Sequence, residues 1–261
     1  MKIDSADYRL FPTTFLQNTV VSLDHSSFVT DEHDNASVMA AMSRFFMDNF
    51  KLDIKVNDVR HLLTVSSDDA DISYVFSPES TMLKVGRKDY TTFKASVMPN
   101  FFRLKDYVYS VLGVGTVEAM HIRKLNLFPV QIGEKPTESM WNSLREYLFK
   151  KEFLDIPVYP SSMKAPLNAI GSFDERRVVT EDANYVIRTG VTQMQSRPNG
   201  YNMVLDISCI APRIEGGINE SDIETTALRL DKKLFDLFDA VISSSLREIM
   251  ETQPIKEDSH V

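Results

Sequence analysis

Asn219–Met250, NESDIETTALRLDKKLFDLFDAVISSSLREIM, reads as one long amphipathic helix, and the rest of the chain is arranged to cover it. Ser221-Asp222-Ile223-Glu224 has the form of a capping box, with Ser221 as N-cap and Glu224 three residues on. Ile223, Ala227, Leu230, Leu234, Leu237/Phe238, Val241/Ile242, Leu246 and Ile249 recur at three- and four-residue steps, which puts them on one stripe. Arg229, Asp231, Lys232, Lys233, Asp236 and Asp239 are assigned to the opposite, solvated side. A stripe this long needs a large apolar partner, and most of the remaining chain reads as strands.

Working outward, Thr14–Leu23 alternates as a strand, and Asp34 or Asn35 opens a helix running to about Phe50. Leu62–Val65, Ile72–Phe76, Met82–Val85 and Tyr90–Val97 follow as an antiparallel meander, with Gly86-Arg87-Lys88-Asp89 a turn or a bulge. Asn100 caps a helix that ends at Gly113. Val117–Ile132 is again strand-like, and Pro136-Thr137 opens a helix to about Leu154. Arg176–Val179, Tyr185–Met194 and Met203–Ile210 are strands, the last two joined at Arg197-Pro198-Asn199-Gly200. The fold class is therefore α+β, an antiparallel sheet with helices packed on it. The order supports two pseudo-repeated β-α-β-β-β-α halves, residues 1–114 and 115–251, followed by a polar tail, 252–261.

The chain has 261 residues, of which 43% are hydrophobic, enough for a sizeable core. The longest apolar runs are too short to span a bilayer, and no signal-peptide pattern opens the sequence. One cysteine, Cys209, excludes an internal disulfide framework and a Cys-rich zinc site. Together these give the expectation of a cytoplasmic protein. A net charge of −8 argues against general attraction to nucleic acid or anionic lipid.

Motifs for the common chemistries are missing: there is no Walker A loop, G-x-G-x-x-G, G-x-S-x-G or H-E-x-x-H. His33, within Asp31-Glu32-His33-Asp34, suits a solvated helix entrance better than a metal site. Asp68, Asp69 and Asp71 lack the glycine and glutamate of a calcium loop and suit a hairpin turn. His25, His61 and His121 stand singly, and His121 is expected to face solvent or pair with a carboxylate. Cys209, in an apolar strand, reads as a buried and inert thiol.

Residues 155–172 have no period but hold Pro157, Pro160 and Pro166 among apolar residues. They read as an ordered surface loop near the functional site, with Tyr159 and Leu167 as its binding residues.

Met203-Val204-Leu205-Asp206-Ile207 and the helical Leu230–Ile242 resemble a sporadically distributed family of uncharacterised bacterial proteins of similar length. Tyr90-Thr91-Thr92-Phe93 and the strand His121-Ile122-Arg123-Lys124-Leu125-Asn126-Leu127 extend the resemblance, although the latter lacks the family's Tyr-Ile-Asn ending. No activity comes with it; its patchy distribution implies a bacterial defence or mobile-element setting.

The leading expectation is a non-enzymatic binding or adaptor protein for a protein or peptide partner, with no cofactor and no metal. Self-association stays open. The alternative is an enzyme with an unfamiliar site, such as a hydrolase using His33 or His121 beside carboxylates.

Overall fold

The structure, a computed structural model, describes residues 14–25, 52–57, 62–67, 70–77, 79–111, 116–131, 138–151, 173–179, 183–194, 200–211 and 216–252. Among these residues nine strands form one antiparallel sheet: β1 (Leu16–Asp24), β2 (Leu52–Asn57), β3 (Leu62–Ser67), β4 (Ile72–Phe76), β5 (Ser80–Gly86), β6 (Ala119–Gln131), β7 (Phe173–Val179), β8 (Asn184–Gln193) and β9 (Gly200–Ile210). Their order across the sheet is β2-β3-β4-β5-β1-β6-β9-β8-β7. The chain leaves β1 at the centre and returns to it through β2–β5, so β1 lies beside β5, and it leaves β6 and returns through β7–β9, so β6 lies beside β9. The two central strands pair antiparallel from Leu16 opposite Asn126 to Asp24 opposite Ala119. An α+β class with an antiparallel sheet is thus what the strand periodicities predict.

The sequence reading omits β2, although Leu52, Ile54 and Val56 alternate with polar residues. With it, the first half returns through four strands and not three.

The helices are α1 (Met98–Asp106), α2 (Glu138–Leu148), α3 (Glu220–Val241) and α4 (Ser244–Thr252). Among the described residues, they pack on one face of the sheet. That face is built by alternation: Val21 and Leu23 on β1, Tyr74 and Phe76 on β4, Leu83 and Val85 on β5, Met120, Ile122 and Phe128 on β6, Met203, Leu205, Ile207 and Cys209 on β9, all buried. Against them lie Phe101, Leu104 and Tyr107 from the α1 region, Phe149 after α2, and Ile223, Ala227, Leu230, Leu234 and Phe238 from α3, in one continuous core. Phe76 meets Tyr107 edge-on at 5.2 Å, and Trp141 meets Tyr201 likewise at 5.3 Å.

Two local features show how the sheet tolerates awkward residues. Pro129 lies inside β6, where a missing N–H would ordinarily break a ladder. Leu127 donates its N–H to Phe15 O at 2.9 Å, so Pro129, two residues on, turns its nitrogen to the same side. There β1 has already ended, at Leu16 opposite Asn126. Gly86 closes β5 against Asp71: its N–H donates to Asp71 O at 2.6 Å, and a Cβ at this position would fall 1.7 Å from Asp71 Oδ2. A larger residue here would require the exposed Asp71 side chain to move aside.

Several boundaries depart from the sequence reading. Tyr90–Val97 is not a strand. Thr92 Oγ1 accepts from Ala95 N at 3.0 Å and starts a π-helical turn over Phe93–Val97 that runs into α1. Asn100 is therefore no cap. It lies within the helix, its Nδ2 donating to Ser96 O at 3.0 Å and its Oδ1 accepting from the Tyr74 hydroxyl at 3.2 Å. Gly86-Arg87-Lys88-Asp89 resolves as a 3-10 turn over Arg87–Asp89.

The closing helix begins at Glu220 with Asn219 as N-cap, and no side chain caps it, so the Ser221 capping box does not form. Nor is it one helix. Ile242 is extended (φ −69°, ψ 142°) and forms an isolated bridge with Phe149. Ser243 restarts the chain: its Oγ accepts from Leu246 N at 3.0 Å and donates to Tyr147 O at 2.5 Å. Three consecutive serines, 243–245, supply side chains that compete for backbone groups, which explains the break at this point. Arg247 Nη2 then donates to Asp239 O at 2.9 Å and ties α4 back to α3.

The helix expected over 34–50 and the loop 155–172 lie outside the described residues, as does the tail 252–261 except for Thr252, which ends α4.

Candidate functional site

Alternation leaves the second sheet face to Asn18, Val20, Ser22 and Asp24 on β1, Arg123, Leu125 and Leu127 on β6, Asp206 and Ser208 on β9, Val186 and Arg188 on β8, and Glu175 and Arg177 on β7. No described helix packs there.

Five of these side chains form a continuous row of alternating charge. Arg123 donates from Nε to Asp206 Oδ1 and from Nη2 to Asp206 Oδ2, both at 2.7 Å, a two-pronged pair. Arg188 Nη1 lies 3.8 Å from Asp206 Oδ2, and its Nε donates to Glu175 Oε2 at 2.6 Å. Arg177 Nε donates to the other oxygen, Glu175 Oε1, at 2.9 Å. The register explains the pattern. Leu125, Asp206, Arg188 and Glu175 share one rung across β6, β9, β8 and β7, and Arg123, Ser208, Val186 and Arg177 share the next.

The carboxylates form the floor of this row and the guanidiniums its outer layer. The Asp206 side chain is 7% exposed, whereas those of Arg123, Arg188 and Arg177 are 47%, 42% and 75% exposed. The hydrogen bonds to Asp206 raise the Arg123 pKa, holding its charge more firmly. Those from Arg188 and then Arg177 lower the pKa of Glu175, so it stays ionised. Three cations against two anions leave the row one positive charge in excess.

A second polar contact sits at the junction of the halves. His121 Nε2 lies 2.8 Å from Asp24 Oδ2, both side chains partly exposed. The hydrogen bond with His121 is the main reason the Asp24 carboxyl titrates below its usual value, and the Ser22 hydroxyl adds a smaller contribution. His121 thus pairs with a carboxylate, one of the two arrangements its position in the sequence allows. Among the described residues Asp24 is its one ionic partner, and no group of three or more His, Cys, Asp or Glu side chains is gathered to hold a metal ion.

A third charged pair is buried on the helical side. Lys124 follows Arg123 on β6 and so points to the other face, where its Nζ lies 2.5 Å from Asp231 Oδ1 on α3. The contact is ionic and is not a well-directed hydrogen bond, since Oδ1 finds no donor in good geometry. Asp231 is 1% exposed, which corrects its assignment to the solvated side of the helix. Burial pushes the Tyr90 hydroxyl up, while Lys124 close by opposes that shift. This cluster holds α3 onto β6 and has no open side.

Cys209 is fully buried, and burial pushes its thiol up to about 12, so it has no nucleophilic character at neutral pH. A thiol reagent should label the native protein slowly and the urea-unfolded protein within the mixing time. Fast native labelling would show that β9 is accessible.

Tyr159, Leu167, His33 and His61 lie outside the described residues. The arginine row escaped the sequence reading because its members are brought together by register alone. A partial signal for it was present: Arg123, Arg188 and Asp206 occupy strand positions next to the buried apolar residues Ile122, Ile187, Leu205 and Ile207, whereas Glu175 and Arg177 lie in a charged stretch of β7 that gives no such pattern.

No protein-family model matches the chain, and no curated protein matches it. Among the described residues, no helix is long and apolar enough to cross a membrane.

Proposed function

We propose that this protein is a non-enzymatic binding or adaptor module, cytoplasmic, that engages a protein or peptide partner across the sheet face on which no described helix packs. The observation that carries this reading is the composition of that face. Partly buried apolar side chains, Val20, Leu125 and Val186, stand beside outward-facing arginines already fixed in position by Asp206 and Glu175. Side chains held by neighbours lose little freedom on binding, so the face is preorganised for a ligand. The resemblance to the sporadically distributed bacterial family supplies the proposed setting, a defence or mobile-element neighbourhood.

Selection from a displayed peptide library against the full chain tests the proposal. Enriched peptides should bind the parent and lose binding to Leu125→Gln, whose thermal midpoint should stay close to the parent's. Failure to enrich any peptide, or equal binding by the variant, would overturn it.

A second reading, an enzyme working through His121, is favoured by the hydrogen bond that orients this imidazole on Asp24. It is the weaker of the two, because the Ser22 hydroxyl is engaged with Asp24 and not with the imidazole it would need as a base.

A further inference from the structure

Arg123 uses Nε and Nη2 on Asp206, and Arg177 uses Nε on Glu175. Among the described residues, Nη1 of Arg123 and both terminal nitrogens of Arg177 meet no acceptor. A guanidinium held by one edge presents a second edge of parallel N–H groups, the geometry that a carboxylate or phosphate accepts. Building such a row costs two buried or half-buried carboxylates, yet its outer layer is entirely cationic. In a chain of net charge −8, a fixed cationic layer on a face that no described helix covers is complementary to an anionic partner.

The spacing narrows the class of ligand. Arg123 and Arg177 stand on one rung with Ser208 and Val186 between them. Three strand intervals separate them by about 14 Å. Arg188 lies between the two, one side-chain repeat along the strands. An extended peptide advances about 14 Å in four residues, with like-facing side chains at every second position. Acidic residues at positions i, i+2 and i+4 therefore reach all three arginines. Leu125 and Val186 lie within the same area and suit the intervening carbon atoms of a peptide. A single-stranded nucleic acid calls for aromatic platforms under its bases. Among the described strand positions on this face, the register gives one aromatic residue, Phe173 opposite Gly190, too few to stack a run of bases.

We infer that the Arg123–Arg188–Arg177 row is the recognition site for an acidic, extended segment of a partner protein, with carboxylates at alternate positions. This inference rests on the binding-module reading above and adds the chemistry of the partner.

Fluorescence anisotropy with three tetramethylrhodamine-labelled probes tests it: Gly-Glu-Thr-Glu-Thr-Glu-Gly, the same peptide with glutamine for each glutamate, and a thymidine hexanucleotide. The full chain should bind the glutamate peptide at least roughly tenfold more tightly than the glutamine peptide, the value of one charge-assisted pair. Arg177→Gln, at an exposed side chain, should remove about that factor without moving the denaturation midpoint. Arg123→Lys keeps the charge over Asp206 but loses the fork, and should weaken the same probe while leaving the glutamine peptide unaffected. Equal affinity for the two peptides would overturn the inference. If library-selected peptides still depend on Leu125 in that case, the binding-module reading stands and only its acidic specificity falls. Tighter binding of the hexanucleotide than of the glutamate peptide would also overturn it and assign the face to nucleic acid.

Discussion

Lys124→Met should destabilise the protein by roughly 3–5 kcal/mol, the cost of leaving a buried carboxylate without its counter-ion. Asp231 has a side chain only 2% exposed, and Lys124 one only 11% exposed, so water replaces little of what the pair provides. Methionine preserves the length of the lysine stem and its packing along β6. The loss is therefore electrostatic in the main, with a smaller share from the Lys124 contact with the Tyr90 hydroxyl. Tyr90→Phe measures that share separately. Adding Asp231→Leu to Lys124→Met should recover most of the lost stability, because the orphaned charge is then gone and the site is apolar throughout. Urea denaturation of the four proteins gives the result directly, provided the m-values agree. A double variant as unstable as Lys124→Met alone would show that the cost lies in packing and not in the uncompensated carboxylate.

The same pair marks a limit of reading this chain from sequence. The stripe Ile223, Ala227, Leu230, Leu234 and Phe238 was legible because helical spacing alone places those residues together, and all five are buried. Asp231 adjoins Leu230 on that stripe, but its charge assigned it to solvent; only the partner on β6, far away in sequence, makes its burial tolerable. The strands β6, β8 and β9 were legible for a similar reason, since alternation needs no knowledge of neighbours. The row of Arg123, Asp206, Arg188 and Glu175 needed the neighbours: Arg123 and Asp206 are 83 positions apart. Local propensity misled at Tyr90–Val97, where Tyr, Thr, Phe and Val favour a strand. There the Thr92 cap and the burial of Phe93 and Val97 outweigh that preference. The break at Ser243 had a visible cause in three serines, but periodicity continues across it through Leu246 and Ile249, which concealed it.

Leu234→Ala should cost about 2–5 kcal/mol, among the largest effects expected from removing apolar atoms in α3. Leu234 is fully buried on α3, the helix that packs on β6 and β9. The strands under α3, β6 and β9, are each paired on both sides, so the sheet has little freedom to close over the space left behind. Phe238→Ala removes a larger side chain from a site that is 8% exposed, and should fall in a similar range because water reaches part of that space. Two controls on the same helix separate core packing from helix propensity. Leu237 is only partly buried, so Leu237→Ala should cost distinctly less, and Asp236→Ala, at an exposed position, should stay within about 0.5 kcal/mol of the parent. Helix propensity favours alanine in all these variants, so any large loss must come from the face each residue occupies. Denaturation midpoints for Leu234→Ala and Phe238→Ala within error of the parent would mean that α3 is supported by its ends, through Lys105–Glu220 and the Phe149–Ile242 bridge, and not by the stripe it lays on the sheet.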